Sequence, residues 1–458
     1  MSTSPGRAPS GSTPLPSWGA TPSGSTPLPP WRATAAHYRA VVLATAGALF
    51  AVVLRRPDLL VLAAPFLLVA TWAWSRRPTR PATLRATMSH TSLREGEASR
   101  WVSAVQLPPG AEDVLVGLAP GLFLEYDPPL GTTAVAVEDA VAGEARAVVG
   151  FRTTRWGVRP VGPAVCSVSS AWGAYRSGPS TVGGRMLTTL PYPAVFDPSA
   201  PMPHPEGLVG PSRSSRPGTG SEFNSLRQFQ PGDRLRRIHW PVSLRTGHLH
   251  VSSTYGDEDS HVALLVDAFS DLGPRDGIDG HPTSLDLTVR AAGAMAEHYL
   301  AVGDRVSLRV VGASSVPRLH VGSGRAHLRR VLETLALIQP ATERQDDGER
   351  ATAGLGAGSL VVVLSPLVEP SMTGIVSRLG SRGLSTVVVD TMPDHLWADG
   401  ADAWSTLAWR VRRLTREREV SQLAAAGIPV VPWRGPASMD QVLRDVSRRA
   451  RAPRLVRR

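Results

Sequence analysis

Lysine is absent from this chain of 458 residues, so all 49 of its lysine-or-arginine positions are arginine. The formal net charge of +11 would ordinarily suggest a polyanion as partner, but charge alone reports only unspecific attraction. With alanine, glycine and proline abundant, the arginine excess reads as a composition bias and no nucleic-acid partner is expected. Cysteine is almost absent too. Cys166 stands alone, which excludes an intramolecular disulfide framework and any cysteine-based zinc cluster. It lies in the apolar run "VGPAVCSV", where a small buried side chain on a strand is expected and a nucleophile is not. Long hydrophobic runs are missing as well. The two longest, Ala40 to Leu54 and Leu59 to Trp74, hold roughly 15 residues each against the ~20 that a bilayer core asks for.

Taken singly, each run could be a core helix. Taken together they predict a transmembrane helical hairpin over 38–76: neither has a polar face, arginines bound both, and Trp72 and Trp74 fall where an aromatic belt would lie. Arg32, Arg39, Arg76, Arg77, Arg80 and Arg85 flank the hairpin, against Arg55 and Arg56 in its connection, so positive-inside bias places both ends in the cytoplasm. The expectation is a multi-pass protein of the cell membrane with cytoplasmic soluble domains. Ahead of the hairpin, residues 1–32 are rich in Ser, Thr, Pro and Gly and repeat "GSTPLP"; such a segment buries too little apolar surface to order itself, so a disordered tail is expected.

Beyond the hairpin the texture changes twice. Residues 81–197 alternate Val, Ala and Thr with polar positions between Gly and Pro, predicting a small all-β, sandwich-like domain. Residues 198–220 read as a linker. From 257 to 450 continuous apolar runs alternate with helical patterns. The strands are "HVALLVD" ending at Asp267, "RVSLRVV" from Arg305, "SLVVVLS" from Ser359, "STVVVD" ending at Asp390, and "IPVVP" from Ile428. The helices are Leu285 to Val302, His327 to Ile338, Ser371 to Leu379, Trp404 to Ala425 and Met439 to Ala450. This rhythm predicts an α/β doubly wound domain, with ligands beyond the carboxyl ends of its strands. A short basic tail, 451–458, ends the chain.

Between linker and α/β domain, residues 221–256 carry "EFNSLRQFQPGDRLRRIHWPVSLRTGHLHV". Asp233, His239 and Ser243 could make a hydrolase triad on paper, but linear proximity does not supply triad geometry. A structural brace fits better: Glu222 and Asp233 pairing with Arg227, Arg236 or Arg245, over an apolar side made by Phe223, Leu226, Ile238 and Trp240. This stretch closely resembles the signature of the bacterial family known as domain of unknown function 58. The matching positions are Glu222, Phe223, Leu226, Arg227, Phe229, Pro231, Gly232, Asp233, Arg236, Ile238, Trp240, Ser243 and Arg245. The α/β part resembles a von Willebrand factor A-type domain, whose metal site begins Asp-x-Ser-x-Ser at the place of Asp267.

That metal site is degenerate here. Phe269 holds the first serine position and Asp271 the second, with Ser270 between them. "HVGSGRAHL", aligned with the threonine-bearing loop, has no threonine, and Ser365 ends the strand where an acid is often found. Asp267, Ser270 and Asp271 therefore leave room only for weak magnesium binding, and no cofactor is expected. The resemblance implies a membrane-anchored, cytoplasm-facing, non-catalytic interaction or scaffold protein. It would act with a MoxR-type AAA+ ATPase on envelope client proteins. A metal-dependent enzyme and an outward-facing adhesion-like receptor are the alternatives.

Overall fold

In the computed structural model the described residues are 25–136, 138, 140, 143–192, 217–230, 235, 238–255, 261–313, 316–340, 348–355, 359–397 and 403–433. By contact the chain divides into two units: 1–93, 97–153 and 159–187 in the first, and 94–96, 154–158 and 188–458 in the second.

The first unit begins with the two apolar helices, α1 (Ala35–Val53) and α2 (Asp58–Ser75). Thr34 caps α1, its hydroxyl accepting the His37 N–H at 3.5 Å. The two helices pack on each other and bury small residues, Ala44 and Ala51 on α1 and Ala63 and Ala70 on α2, while Ala73 joins the β-rich core. Gly47 permits the approach, since a Cβ there would lie 2.8 Å from that of Ala63. The large apolar side chains, among them Leu49, Phe50, Val61, Leu62 and Leu68, are exposed. Both helices are long and apolar enough to cross a membrane. A soluble core helix would bury those side chains, so the outer surface suits membrane association. Thr45 and Thr71 return their hydroxyls to the carbonyls of Val41 and Leu67 at 2.9 Å each, leaving no free polar group on that surface from either side chain.

The β-rich part of this unit is formed of antiparallel strands β1 (Thr83–Met88), β2 (Ala98–Gln106), β3 (Ala111–Leu118), β4 (Leu124–Asp127), β5 (Thr132–Ala136), β6 (Glu144–Thr153), β7 (Ala164–Ser170) and β8 (Tyr175–Val182). One sheet runs β1-β2-β6-β4 and a second β8-β7-β3-β5. Alternate residues of the two sheets, such as Leu84, Val105 and Ala147 from one and Val114, Val116 and Val168 from the other, share one core. This is the burial that period-two patterning requires. Cys166 is fully buried there on β7, and burial pushes its thiol up to about 12. Residues 25–32, expected within the disordered tail, are part of the fold. Residues 25–33 lie along the sheets, pairing Thr26–Pro27 with β1 and Arg32–Ala33 with β8. Leu28, 3% exposed, and Trp31 join the core. Strand pairing together with these two apolar side chains and the hydrogen bond from Trp31 Nε1 to the Arg80 carbonyl at 2.8 Å fixes the segment; residues 1–24 fall outside the described part.

In the second unit β9 (Pro217–Gln228) pairs antiparallel with β10 (His250–Tyr255), and α3 (Trp240–Thr246) lies between them. The first four residues of β9 were expected in the linker. A parallel sheet follows, built from β11 (His261–Asp267), β12 (Arg305–Val311), β13 (Leu319–Gly322), β14 (Ser359–Ser365), β15 (Ser385–Asp390) and β16 (Val430–Pro432). Its order is β13-β12-β11-β14-β15-β16, with only β13 antiparallel. Alternate residues feed two cores. One packs Leu264, Val266 and Leu308 against α4 (Ser284–Val302) and α5 (Gly324–Ala336). The other packs Leu265, Val361 and Val363 against α6 (Gly348–Thr352), α7 (Pro370–Ser381) and α8 (Ala403–Ala425). Helices on both faces explain why these strands read as unbroken apolar runs. The helix expected over Met439 to Ala450 and the tail 451–458 lie outside the described residues.

Candidate functional site at the carboxyl ends of the parallel strands

The chain leaves β11 toward β12 on one side and later places β14 on the other, so the connections reverse direction between β11 and β14. Ligands of open α/β sheets bind at such a reversal, beyond the carboxyl ends of the strands. Asp267, Ser365 and Asp390 end the three adjacent strands β11, β14 and β15, with Ser365 and Asp390 in direct register.

Asp267 is fully buried and closed upon the sheet. Its Oδ2 accepts the Ser365 hydroxyl at 2.5 Å and its Oδ1 the Phe269 N–H at 3.0 Å. Burial raises its pKa to about 6; the two hydrogen bonds oppose that rise and nearby Glu369 adds to it. Ser365 also accepts the Leu367 N–H at 2.8 Å. Leu367 has φ 51, the left-handed region that costs a residue with a Cβ roughly 1–2 kcal/mol, and its complete burial holds it there. Asp390 forms an ion pair with Arg416, whose Nε donates to the Pro366 carbonyl at 2.7 Å. Burial raises the Asp390 pKa although Arg416 works against it.

Asp271, four positions beyond Asp267, faces a guanidinium. Arg155, its side chain 8% exposed, donates from NH2 to Asp271 Oδ2 at 3.0 Å and from Nε to Asp286 Oδ1 at 2.7 Å. Asp271 Oδ2 also lies 3.1 Å from Arg275 Nε. Asp286 closes a capping box at the start of α4, accepting the Thr283 N–H at 3.1 Å while its own N–H donates to Thr283 Oγ1 at 3.0 Å. It takes a further hydrogen bond from Trp156 Nε1 at 2.8 Å. Burial alone would lower the Arg155 pKa; Asp286 and Asp271 outweigh it and the net shift is upward. One turn further along α4, Arg290 grips Glu95 with two bonds of 2.9 Å, and Glu95 also accepts the N–H groups of Trp156 at 3.0 Å and Tyr192 at 2.8 Å. Among the described residues no group of three His, Cys, Asp or Glu is placed to hold a metal ion. Ser270 is half-buried on the loop between Phe269 and Asp271.

One alignment is corrected. "HVGSGRAHL" forms the edge strand β13 and the start of α5, with Gly322 opposite Val306 at the beginning of β12. Asp267 pairs with Val311 at the other end of that strand. The stretch therefore lies at the opposite end of the sheet and contributes no ligand, whichever residues it carries.

The ion pairs expected of a brace in the signature segment fall largely on residues outside the described part. Pro231, Gly232, Asp233 and Arg236 lie outside the described residues, as do the side chains of Glu222 and Phe223 on β9. Ile238 and Val251 are buried against each other through a bridge. Leu226 is exposed, and so is Trp240 at 58%, against the expectation that both face a core. Phe229 is half-buried; Arg227 and Arg245 are exposed. Ser243 is buried, its hydroxyl donating to the His239 carbonyl at 3.0 Å and accepting the His250 N–H at 2.9 Å. It pins the turn between α3 and β10; Asp233, the acid of the triad considered on paper, lies outside the described residues. Sequence reasoning missed Glu95, Arg155, Trp156 and Arg290. The one legible signal was Thr283-x-x-Asp286, a capping box before an apolar run.

Residues 225–407 match the family described as "Protein of unknown function DUF58". Uncharacterized proteins of Mycobacterium bovis and Mycobacterium tuberculosis are 29% identical over 181 residues, covering 40% of this chain and 50% of theirs. The chain thus matches about half the length of these curated relatives.

Proposed function

We propose that this chain is a membrane-anchored, cytoplasm-facing, non-catalytic interaction protein. In this reading its α/β unit is of von Willebrand factor A type and docks a MoxR-type AAA+ ATPase during assembly or maturation of an envelope complex. The observation that carries it is the exposed pair Trp240 and Leu244, one turn apart on α3 within the signature segment, at 58% and 80% exposure. An exposed tryptophan is a typical anchor for a partner, because tryptophan is enriched among the few residues that carry most of the binding energy at interfaces, and the neighbouring leucine extends its apolar patch. The Arg155 guanidinium between Asp271 and Asp286 supports the non-catalytic part, since a fixed cation already answers those carboxylates. The membrane orientation rests on the flanking arginines.

The test is direct binding between the full chain in detergent and a purified MoxR-type ATPase from the same genome. The Trp240→Ala/Leu244→Ala double variant should weaken the complex by about 30-fold, the factor that corresponds to a hot spot of ~2 kcal/mol. Unchanged affinity, or no binding by the wild-type chain, would sink the proposal. Bound magnesium accompanied by turnover would favour the enzyme reading instead.

A further inference from the structure

A cleft of about 740 Å3 opens in the first unit where α1 begins and α2 ends, a size within the range of ligand pockets, ~300–1,000 Å3. Its walls differ from one end to the other. Val41, Ala44, Leu67 and Ala70 line it between the helices, continuous with the outer apolar surface. Arg32, His37, Arg77 and Tyr175 line it at the helix ends, beside Trp31 and Trp74. No Asp or Glu is among the lining residues. Among the described residues neither Arg32 nor Arg77 forms an ion pair. Arg77 is held in place with its guanidinium 5.6 Å from the Tyr175 ring centroid, a cation–π contact. The Tyr175 hydroxyl lies 3.5 Å from His37 Nε2, while His37 Nδ1 is buried without a hydrogen-bond partner.

Two unmatched guanidinium groups at the mouth of a groove that becomes hydrocarbon-like within a helical turn fit an amphiphile with an anionic head. Arginine pairs with phosphate oxygens through two parallel hydrogen bonds, and the exposed Trp74 beside Arg77 is the residue type that favours the level where headgroup meets acyl chain. We infer that this cleft binds one anionic glycerophospholipid, its phosphate between Arg32 and Arg77 and an acyl chain along Val41 and Leu67. The site rests on the membrane reading of the hairpin. It makes the anchor selective for anionic leaflets, beyond simple insertion.

The experiment uses the full chain in a neutral detergent and follows its melting temperature on adding dioleoylphosphatidylglycerol, dioleoylphosphatidylcholine or inorganic phosphate. Phosphatidylglycerol should raise the wild-type melting temperature by roughly 5 °C at about one hundred times its Kd, since a ligand bound only to the folded state stabilises it. The other two should do nothing. Arg32→Gln/Arg77→Gln should abolish the rise, and so should Val41→Trp, which fills the apolar end without touching a charge. An equal rise with phosphatidylcholine, a rise with inorganic phosphate alone, or a full rise retained in both variants would overturn the inference. Recovery of the chain without any detergent would instead sink the membrane reading itself, which separates the two failures.

Discussion

Three largely buried arginines of the α/β unit are matched by carboxylates: Arg290 with Glu95, Arg155 with Asp286 and Asp271, Arg416 with Asp390; a fourth, Arg309, donates instead to the Ala351 carbonyl at 2.6 Å. At the foot of the helical hairpin, Arg32 and Arg77 line a cleft that contains no carboxylate. The difference separates structural charge from charge available to a ligand. A desolvated ion needs a partner fixed by the fold, whereas a cation at an open mouth keeps water until something better displaces it. In the α/β unit the strand ends that would hold a ligand in an open sheet are stitched together, while apolar side chains stand exposed on α3, Trp240 and Leu244, and on α8, Trp404, Leu407, Val411 and Leu414.

The sharpest way to break this comparison is to remove one member of a matched pair. Glu95 is fully buried and holds Arg290 and two backbone N–H groups. Glu95→Ala should therefore cost about 3–5 kcal/mol, the penalty of stranding a buried charge. Urea unfolding of the full chain in detergent, followed by tryptophan fluorescence, measures it; an unchanged midpoint would show that the pair is not desolvated in solution.

A smaller effect concerns Asp267. Its folded pKa, raised to about 6 from 3.8, means that the folded state holds the proton more tightly than the unfolded chain. Its contribution is complete below about pH 4 and is lost as pH rises through about 6. The span of about 2 units corresponds to roughly 3 kcal/mol as an upper value. Asp390, raised in the same direction, adds to the slope. Asp267→Asn should flatten the stability profile between pH 4 and 7 relative to wild type. A wild-type-like slope in that variant would assign the dependence elsewhere.

Smaller still are the exposed side chains. Trp240→Ala/Leu244→Ala should leave the melting temperature within the range of surface substitutions, ±0.5 kcal/mol per site, while weakening partner binding. Loss of stability would return the signature to a structural role. Arg329→Ala, which breaks the exposed i,i+4 pair with Glu333 at 2.8 Å, should cost no more than about 0.5 kcal/mol and so calibrates what an arginine pair is worth outside the core.

Legibility followed the range of the interactions. The parallel strands from His261 to Asp390 were readable because burial on both faces leaves an unbroken apolar run, and each coincides with its run; the antiparallel edge strand β13, half open to solvent, had no such run and was missed. The hairpin was readable because two neighbouring apolar runs without a polar face are bounded by arginines, a pattern that is local in sequence. The tail boundary was misplaced because Leu28 and Trp31 are only two residues in a Pro-rich stretch, and what orders them is a sheet edge elsewhere in the chain. Trp240 was misassigned for the converse reason: an aromatic in a strand-rich motif looks like core, and only packing decides which face it takes.

The sequence by itself therefore determined the element order, the apolar hairpin, the β-rich and α/β regions and the position of Asp267 at a strand end. All of these follow from the period of apolar residues and from local turn chemistry. Tertiary structure alone decided the chemistry at the strand ends. Arg155 and Asp286 stand 131 positions apart, and Glu95 and Arg290 stand 195 apart. No local pattern links them. Whether a carboxylate meets a guanidinium, a serine or solvent depends on which distant segment the fold brings over it, and a desolvated charge is stable only where that has happened.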